Sequence, residues 1–447
     1  MKNVFIVVLL AALMVSCSLA DAIDQDPPNN LVPENVVRSE EDARAVLNGA
    51  YSKIISFSSS FYYMHSELIP SALIGTMSQS GFTANDRQFA DNDIFSDNSL
   101  VNNFWIIFYG VIDATNNAIV LTEALPESEI SQATKTEIIG EARFVRAMAT
   151  FDALRYFGQF FDVNSSLGVV LRTEPVNFTT RSKERSTVME SYNQILSDLD
   201  FAIANAPDFT VTFRGSKTSA KALKAKVLLF MGRYAEAATL ADEVITEGTR
   251  TLEATFANAF DNGLTSSEMI FMTHRAADSD EEDNNRKRFY TGRTGNTWYP
   301  DLMEGDPRQP LTYSGTRILK TNNEATFRPT YFLRLAEIYL IKAEALAMSG
   351  ADLATSKAPL DIIRNRAGLE NSDAADIDAL KDAIFEEYIK ELAFENGSDW
   401  FAAIRFDKAM TLKPTITSTN QYILPLPDNE IEGNALLTLA DQNPGYQ

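Results

Sequence analysis

The chain of 447 residues is predicted to belong to the all-α class and to be mainly helical. We expect a tetratricopeptide-like scaffold of helical hairpins with long irregular insertions and a few short strands. Apolar residues recur at helical spacing in many segments, and several of these segments end near a proline or a glycine. Residues 222–238 and 338–354 also share one pattern: an alanine-containing helix, a glycine turn, and a second helix with alanine near its start. Helical pairs of this kind stack and bury a continuous core.

Ser39 is predicted to cap the first helix, because its hydroxyl precedes three acidic residues of the first turn. That helix runs to about residue 55. Pro359 is expected to kink the helix predicted over residues 353–366, or to delay its start. Helical periodicity predicts the other helices over residues 103–125, 136–157, 186–205, 219–231, 234–247, 331–349 and 379–394. Residues 167–171 and 268–272 are predicted to be isolated strands or extended connectors.

Two long stretches, residues 56–101 and 278–330, lack sustained helical periodicity. Both are rich in small polar residues and also contain aromatic residues. Long irregular segments of an ordered domain are more often functional than accidental. We therefore expect the binding residues in these two stretches.

The first residues are typical of an exported lipoprotein. Lys2 supplies a positive charge, and residues 4–15 form an uncharged apolar run that is too short to span a bilayer. Cys17, the only cysteine, follows Met-Val-Ser in a pattern that resembles the site where bacterial lipoproteins are cleaved and acylated. We expect residues 1–16 to be a signal peptide and residues 17–38 to be a lipidated polar tether, with no later membrane-spanning stretch. The alternative is a plain secretory signal with an incidental buried cysteine.

Composition and charge argue against several classes of function. The formal charge is −22, from 39 basic and 61 acidic residues, so clustered Lys and Arg for binding nucleic acid are not expected. The two histidines, His65 and His274, are far apart and lack partners at ligand spacing, so no metal site and no cofactor is predicted. The sequence contains no glycine-rich phosphate loop and no serine nucleophile elbow.

Three glutamates, Glu387, Glu391 and Glu395, lie one helical turn apart on one face. A glycosidase needs two carboxylates that face each other across a sugar, whereas residues on one helix face point in parallel. We therefore predict structural ion pairs at these positions. The same interpretation applies to eight other charged residues on predicted helices: Arg334, Glu337, Glu344, Glu141, Arg143, Arg146 and the pair Glu386 and Lys390.

The order and spacing of many short segments resemble the SusD/RagB family of surface glycan-binding lipoproteins over essentially the whole chain. One departure is Asp399, which precedes Trp400 where members usually have a basic residue; this departure bears only on a local ion pair. The segments that carry the resemblance are the cysteine-containing leader and residues 24–28, 47–51, 105–116, 140–147, 156–158, 333–340, 363–368, 391–395, 400–401 and 442–446, the last reading Gln-Asn-Pro-Gly-Tyr.

The resemblance implies a SusD-like fold, in which helical hairpins form the scaffold and irregular insertions carry the ligand site. It implies a single domain over residues 39–447, with an N-terminal part at 39–215 and a C-terminal part at 216–447. It also implies a lipid anchor in the outer membrane, facing the cell exterior. There the protein is expected to bind oligosaccharide and deliver it to a SusC-like TonB-dependent transporter, without catalysis.

Sugars present C–H faces beside hydroxyl groups, so their sites pair an aromatic platform with amide, carboxylate or guanidinium groups. Trp298 and Tyr299, with Tyr290 nearby, lie outside any helical period, and we predict that they form one side of a clamp. The alternative is that Trp298 only anchors a long loop by burial. Trp105 and Trp400 lie within or beside predicted helices and are expected in the core. The other side of the clamp is predicted from Phe82, Asn85, Asp86, Arg87 and Asn92.

Two rival functions remain at this stage. One is a helical glycoside hydrolase on the same cell surface. The other is an interaction scaffold that uses its helical hairpins for protein assembly and binds no small ligand.

Overall fold

The computed structural model describes residues 37–55, 62, 64–77, 84–273, 290 and 297–446, and every structural statement below concerns these residues. They form a mainly helical structure, as predicted. In the first half of the chain the helices are α1 (Glu40–Ile55), α2 (Ile69–Ile74), which continues a π-helical turn at Met64–Leu68, α3 (Ala84–Asp91), α4 (Ser99–Ala124), α5 (Gln132–Phe157), α6 (Val188–Asn205), α7 (Lys217–Phe230) and α8 (Tyr234–Thr246).

The second half of the chain contains shorter helices and all of the strands that the described residues form. The helices are α9 (Phe256–Asp261), α10 (Trp298–Met303), α11 (Gln309–Thr312), α12 (Leu335–Ser349), α13 (Leu353–Arg366), α14 (Ile377–Leu392), α15 (Ser398–Arg405), α16 (Ala409–Leu412) and α17 (Asp428–Gly433). The strands are β1 (Met269–Met272), β2 (Tyr313–Ser314), β3 (Arg317–Ile318) and β4 (Tyr331–Arg334).

The long helices pack on one another largely in chain order. Helix α1 packs on α4, and each helix from α4 to α8 packs on the next. Helix α8 packs on α12, which also contacts α13 and α14. Helix α14 packs on α15, and α15 returns to pack on α2. The predicted stack of helical hairpins is thus confirmed, and its last helices lie against the short helix α2.

Side-chain caps set where the long helices begin. The Asn98 side chain accepts a hydrogen bond from the amide of Leu100, so α4 begins at Ser99, ahead of the predicted start at residue 103. Thr187 and Glu190 form a capping box at the start of α6. Each cap satisfies amide groups that have no partner inside the helix, which is why the helices begin at these residues.

Glycine allows α5 to approach the end of α6 closely. A Cβ atom added to Gly140 in α5 would lie 2.6 Å from the backbone nitrogen of Ala206. Real carbon and nitrogen atoms do not approach so closely without displacement, so a larger residue at this position would push the two helices apart.

The four strands form two antiparallel pairs. Strand β1 pairs with β4, with Met269 opposite Arg334 and Met272 opposite Tyr331, and β2 pairs with β3 as a short hairpin. The strand predicted at residues 268–272 is therefore confirmed. Residues 167–171 are extended without forming a strand, which matches the second of the two forms predicted for them.

Two local predictions were wrong, and one of the two effects expected of Pro359 is excluded. Residues 56–101 were predicted to be irregular, but α2 and α3 lie within this stretch. The helix predicted from residue 331 begins only at Leu335, because residues 331–334 pair with β1. Pro359 does not delay α13, which begins at Leu353 with the Asp352 side chain as its cap. In each case a tertiary contact or a cap outweighs the local pattern.

By length and composition, helix α4 is long and apolar enough to span a membrane. The prediction that no stretch after the leader has this character was therefore wrong. More than half of the residues in its most apolar window are buried inside the protein, and the helix packs on both α1 and α5. Its buried residues include Phe104, Phe108, Val111 and Ile112. Its apolar character is therefore explained by its place in the core.

A buried ionic cluster joins α14 to the strand pair and to the chain before α11. Arg334 contacts Glu268 at 2.7 Å and Glu391 at 2.6 Å, and all three side chains are almost fully buried. Arg308 contacts Glu387 at 2.5 Å and Glu391 at 2.8 Å. Burial by itself would raise the pKa of Glu391, but the guanidinium groups of Arg366, Arg334 and Arg308 outweigh it and hold this pKa well below its ordinary value.

The predicted ion pairs of the scaffold are confirmed, although several partners come from other elements. On α12, Glu337 contacts Lys226 at 2.6 Å and Glu344 contacts Arg405 at 2.8 Å. The remaining pairs follow the same pattern: Glu395 with Arg334 and Lys320, Arg146 and Arg143 with Asp198, Glu141 with Arg214, and Glu386 with Lys390. The pair of Glu386 and Lys390 lies within α14, with Glu386 exposed, whereas the other pairs join different elements and their buried carboxylates do not face an open cleft.

Candidate functional site

Two of the predicted site residues, Asn92 and Trp298, meet at the C-terminal end of α2. The Asn92 side-chain amide donates to the carbonyl of Leu73 at 3.0 Å, and the Trp298 indole nitrogen donates to the carbonyl of Ile74 at 3.0 Å. Helix α2 ends at Gly75, whose φ of 81° favours glycine. The end of α2 therefore joins one residue from each of the two stretches in which the sequence predicted binding residues.

Trp298 opens α10, where Thr297 caps the first turn by accepting from the amide of Tyr299. The prediction that Trp298 and Tyr299 lie outside any helix was therefore wrong. Trp298 is half-buried and packs against the core. The other two tryptophans, Trp105 and Trp400, are buried, which confirms their prediction as core residues.

Tyr299 and Tyr290 are core residues, contrary to the expectation that core packing leaves their rings free. Tyr299 is 1% exposed, and its ring lies 5.5 Å from that of Tyr313 and 5.9 Å from that of Phe394. Burial raises the pKa of the Tyr299 phenol well above its ordinary value. Tyr290 is 0% exposed, and its hydroxyl donates to Glu67. Neither ring presents a face to solvent.

Three further predicted residues lie on α3 and not in a loop. Asn85 donates to the hydroxyl of Ser99 at 2.7 Å and so joins α3 to the start of α4. Asp86 is buried, whereas Arg87 is exposed. The two other residues named from the sequence, Phe82 and Cys17, lie outside the described residues.

A groove of about 460 Å³ begins at Asn92. Its walls come from three segments that are far apart in the sequence: residues 92–96, residues 418–421 and residues 444–446. The groove is open to solvent on one side. Its lining combines aromatic rings with amide and hydroxyl groups: Phe95, Tyr446, Asn92, Asn420, Gln421, Ser96 and Ser418.

Hydrogen bonds fix the walls of the groove relative to one another. Asn92 has a φ of 55°, a backbone conformation that asparagine tolerates better than most residues. Its side-chain oxygen accepts from the hydroxyl of Thr415 at 2.7 Å, and its carbonyl accepts from the Gln421 amide at 2.8 Å. The Tyr446 hydroxyl donates to the carbonyl of Ile423 at 2.8 Å. These bonds hold the groove in shape before any ligand arrives.

Phe95 is the exposed aromatic side chain of the groove. It is 54% exposed, while its backbone amide donates to the side chain of Gln88 at 3.1 Å. An exposed ring held by a fixed backbone offers a flat apolar face, and the neighbouring amides of Asn420 and Gln421 offer both donors and acceptors.

The sequence prediction found Asn92 but missed Phe95 and the other two walls. Phe95 had a usable signal, because it is an aromatic residue between Ile94 and Ser96 within the polar stretch already singled out. Residues 418–421 and 444–446 had none, because nothing local in the sequence places them beside Asn92.

Comparisons with known proteins agree with this fold. A family model described as SusD-like, starch-binding and associating with the outer membrane matches residues 23–229, and a model of the SusD family matches residues 253–413. SusD-like protein P2 of Formosa agariphila is 25% identical, over 100% of this chain and 99% of that protein.

Solved structures are similar over most of the chain. A SusD superfamily protein from Bacteroides thetaiotaomicron has a TM-score of 0.75 at 22% identity, covering 91% of this chain and 100% of that one. A laminarin-binding SusD-like protein has a TM-score of 0.73 at 24% identity, covering 92% of this chain and 100% of that one. Taken with the two family models, which together span most of the sequence, these similarities show that the chain belongs to the SusD/RagB family.

Proposed function

We propose that this protein binds glycans at the cell surface and that the groove beginning at Asn92 is the binding site. The observation that carries the proposal is the exposed ring of Phe95 beside the amides of Asn420 and Gln421. A pyranose stacks its C–H face on an aromatic ring, while its hydroxyl groups exchange hydrogen bonds with side-chain amides. Membership of the family supports the same class of ligand.

The residues named from the sequence have different parts in this proposal. Trp298 lies at the end of α2 that also holds Asn92, so we place it next to the groove as a second aromatic surface. Asn85 and Arg87 lie on α3, the helix that directly precedes Asn92 in the chain, and offer polar groups there. Tyr290 and Tyr299 are buried and support the site from within.

The cellular setting of the proposal follows from the family resemblance and the leader. Cys17 carries the lipid, the tether spans residues 17–38, and the domain faces the cell exterior on the outer membrane. Bound oligosaccharide is delivered to a SusC-like TonB-dependent transporter. No catalytic step is part of this function.

The direct test is binding of the purified mature protein to a panel of oligosaccharides, measured by isothermal titration calorimetry. The panel includes laminari- and malto-oligosaccharides, because a structural relative is described as laminarin-binding and a matching family model as starch-binding. Individual sugar contacts are weak, so dissociation constants of roughly 1 μM to 1 mM are expected. A folded protein that binds no glycan of a broad panel would refute the proposal.

The same samples separate the two rival functions. A hydrolase would release new reducing ends from a glycan that it binds, and we expect none. A scaffold without a ligand would co-purify with the transporter but give no heat of binding with any glycan. The buried, arginine-paired state of Glu387, Glu391 and Glu395 argues against these carboxylates as a catalytic pair.

A further inference from the structure

Lys413 lies at the end of α2 beside Trp298. A Cβ atom on Gly75 would stand 3.4 Å from Lys413 Cδ, 3.8 Å from Lys413 Nζ and 3.6 Å from Trp298 Nε1. Because Gly75 has no side chain, the lysine stem occupies the space above it. The ammonium group therefore lies close to the indole and close to the segment that contains Asn92.

In the part of the chain that the structure describes, no carboxylate oxygen lies within 4.0 Å of the Lys413 ammonium nitrogen. Two buried lysines differ in this respect: Lys226 contacts Glu337 at 2.6 Å, and Lys320 contacts Glu395 at 2.7 Å. A third, Lys135, donates to backbone carbonyls. A lysine near the end of a helix commonly donates to the last carbonyls of that helix. In α2 the last two carbonyls already accept hydrogen bonds from Asn92 and Trp298. The ammonium of this half-buried lysine is therefore available to an anionic group of a ligand.

A second cation lies on α3, the helix that packs on α2. Arg87 is exposed on α3, also without a carboxylate in ion-pair range among the described residues, and Asp91 lies one turn further on the same helix face. Asp91 is the acid whose charge acts on Lys413. The two cations are balanced by Asp91 and by Asp93, which lines the groove, so these four groups carry no net charge on a chain whose formal charge is −22.

Burial lowers the pKa of Lys413, and the charge of Asp91 opposes this only in part. In the free protein the charge of Asp91 therefore offsets only part of the cost of desolvating the ammonium. An anion bound beside the ammonium would offset the remaining cost and would make the charged form more stable. Asp93 follows Asn92 in the same wall of the groove, and its negative charge adds to burial in raising the pKa of Tyr446.

We propose that the glycan bound by this protein is acidic, and that its carboxylate or sulfate group contacts the Lys413 ammonium beside Trp298 while its sugar rings occupy the groove. This inference rests on the proposed glycan-binding function and narrows it to one class of ligand. Uronate carboxylates and sulfate esters share the required chemistry, a compact oxyanion on a sugar ring.

The test compares three sets of oligosaccharides of equal length by isothermal titration calorimetry: oligogalacturonates, sulfated galactan fragments and neutral laminari-oligosaccharides. We expect at least one acidic set to bind the wild-type protein about tenfold or more tightly than the neutral set, as a charge-assisted hydrogen bond permits. That advantage should shrink as salt is raised from about 0.02 M to 0.5 M, because Lys413 is only half-buried and is screened in part. The acidic set that binds identifies the anionic group.

Lys413→Gln should abolish the preference for the acidic set and leave neutral binding unchanged. The matched control is Lys408→Gln, which removes a lysine that already pairs with Asp382 at 2.7 Å and should leave the preference intact. Equal binding of acidic and neutral glycans by the wild-type protein would overturn this inference while supporting glycan binding. A preference that survives in Lys413→Gln would also overturn it. Binding of no glycan at all by the folded protein would refute the proposed function itself.

Discussion

Arg334 and Glu395 are joined by two parallel hydrogen bonds, from Nε to Oε2 at 2.6 Å and from Nη2 to Oε1 at 3.0 Å. The same guanidinium group also contacts Glu268 and Glu391. One residue at the boundary of β4 and α12 thus fixes the position of α14 and of the segment that follows it. Helix α15 begins in that segment and packs on α2, so this cluster supports the region that carries the proposed site.

Replacing Arg334 with methionine should destabilise the protein by about 3–5 kcal/mol, because three buried carboxylates lose a shared partner. Urea unfolding followed by circular dichroism measures the change. The control is Lys381→Met, which breaks an exposed pair with Asp378 at 3.1 Å and should cost no more than about 0.5 kcal/mol. Equal effects of the two substitutions would show that the buried cluster contributes no more than a surface pair.

Asp399 should make the stability of the protein fall as pH rises through the acid range. Its carboxylate is fully buried, with the Ser71 hydroxyl at 2.7 Å, and no cation lies within ion-pair range among the described residues. Burial raises the pKa of Asp399 above its ordinary value of 3.8, so the folded state holds this proton more tightly than the unfolded state does. Stability is therefore lost from about pH 3.8 up to the higher folded pKa.

Asp399→Asn isolates this effect, because the asparagine does not titrate. Urea unfolding at a series of pH values measures the unfolding free energy of both proteins. As pH rises through this window, the wild-type protein should lose stability relative to the variant. A difference that stays constant with pH would mean that the Asp399 pKa is not raised in the folded state.

Two glycine substitutions should have opposite effects on stability. Gly140→Ala should destabilise by about 1–3 kcal/mol, because its Cβ would overlap the backbone at Ala206. Gly49→Ala should stabilise by about 0.5–1 kcal/mol, because Gly49 lies within α1 and a Cβ there meets nothing within 4 Å. Thermal unfolding of the two variants beside the wild type measures both. Destabilisation by Gly49→Ala would contradict the described environment of α1.

Phe95→Ala should weaken glycan binding by about 1 kcal/mol, or roughly fivefold, through the loss of a stacking surface. The unfolding free energy should hardly change, because the ring is 54% exposed. Phe178→Ala is the matched control: its ring is 80% exposed and does not line the groove. Calorimetry with a bound oligosaccharide measures both variants. Unchanged affinity in Phe95→Ala would remove this ring from the proposed site.

Cys17→Ser should release the protein from the membrane fraction, because no other residue of the chain can carry the thioether-linked lipid. Fractionation of cells, with protease treatment of intact cells, measures both attachment and exposure. The wild-type protein should be found with outer membranes and should be cleaved from outside. An unacylated wild-type protein in the cytoplasm would overturn the proposed location.

The helices were largely predictable because the signals that define them are local. Periodicity located α4 to α8 within a few residues, and the errors fell at their ends, where a cap such as Asn98 decides the first turn. Strand β4 was mistaken for helix because residues 331–334 are as apolar as the helix that follows. Their pairing with β1 is a contact that the local pattern does not contain.

The candidate site was predictable only in part. Asn92 and Trp298 were singled out as polar and aromatic residues in irregular stretches, and both bond to the end of α2. Tyr290 and Tyr299 had the same local signal but are buried, because burial depends on what packs around a ring and not on its neighbours in sequence.

The sequence by itself determined the family and the helical scaffold, since spacing and caps follow from nearby residues. It also indicated that the charged residues on the helices are paired, but the tertiary structure decided the partners, such as Lys226 for Glu337. The groove was decided by the tertiary structure. Asn92 and Thr415 are 323 residues apart in the chain, yet their side chains are hydrogen-bonded at 2.7 Å. Only the packing of the whole helical stack brings such distant segments together, and no local pattern encodes that distance.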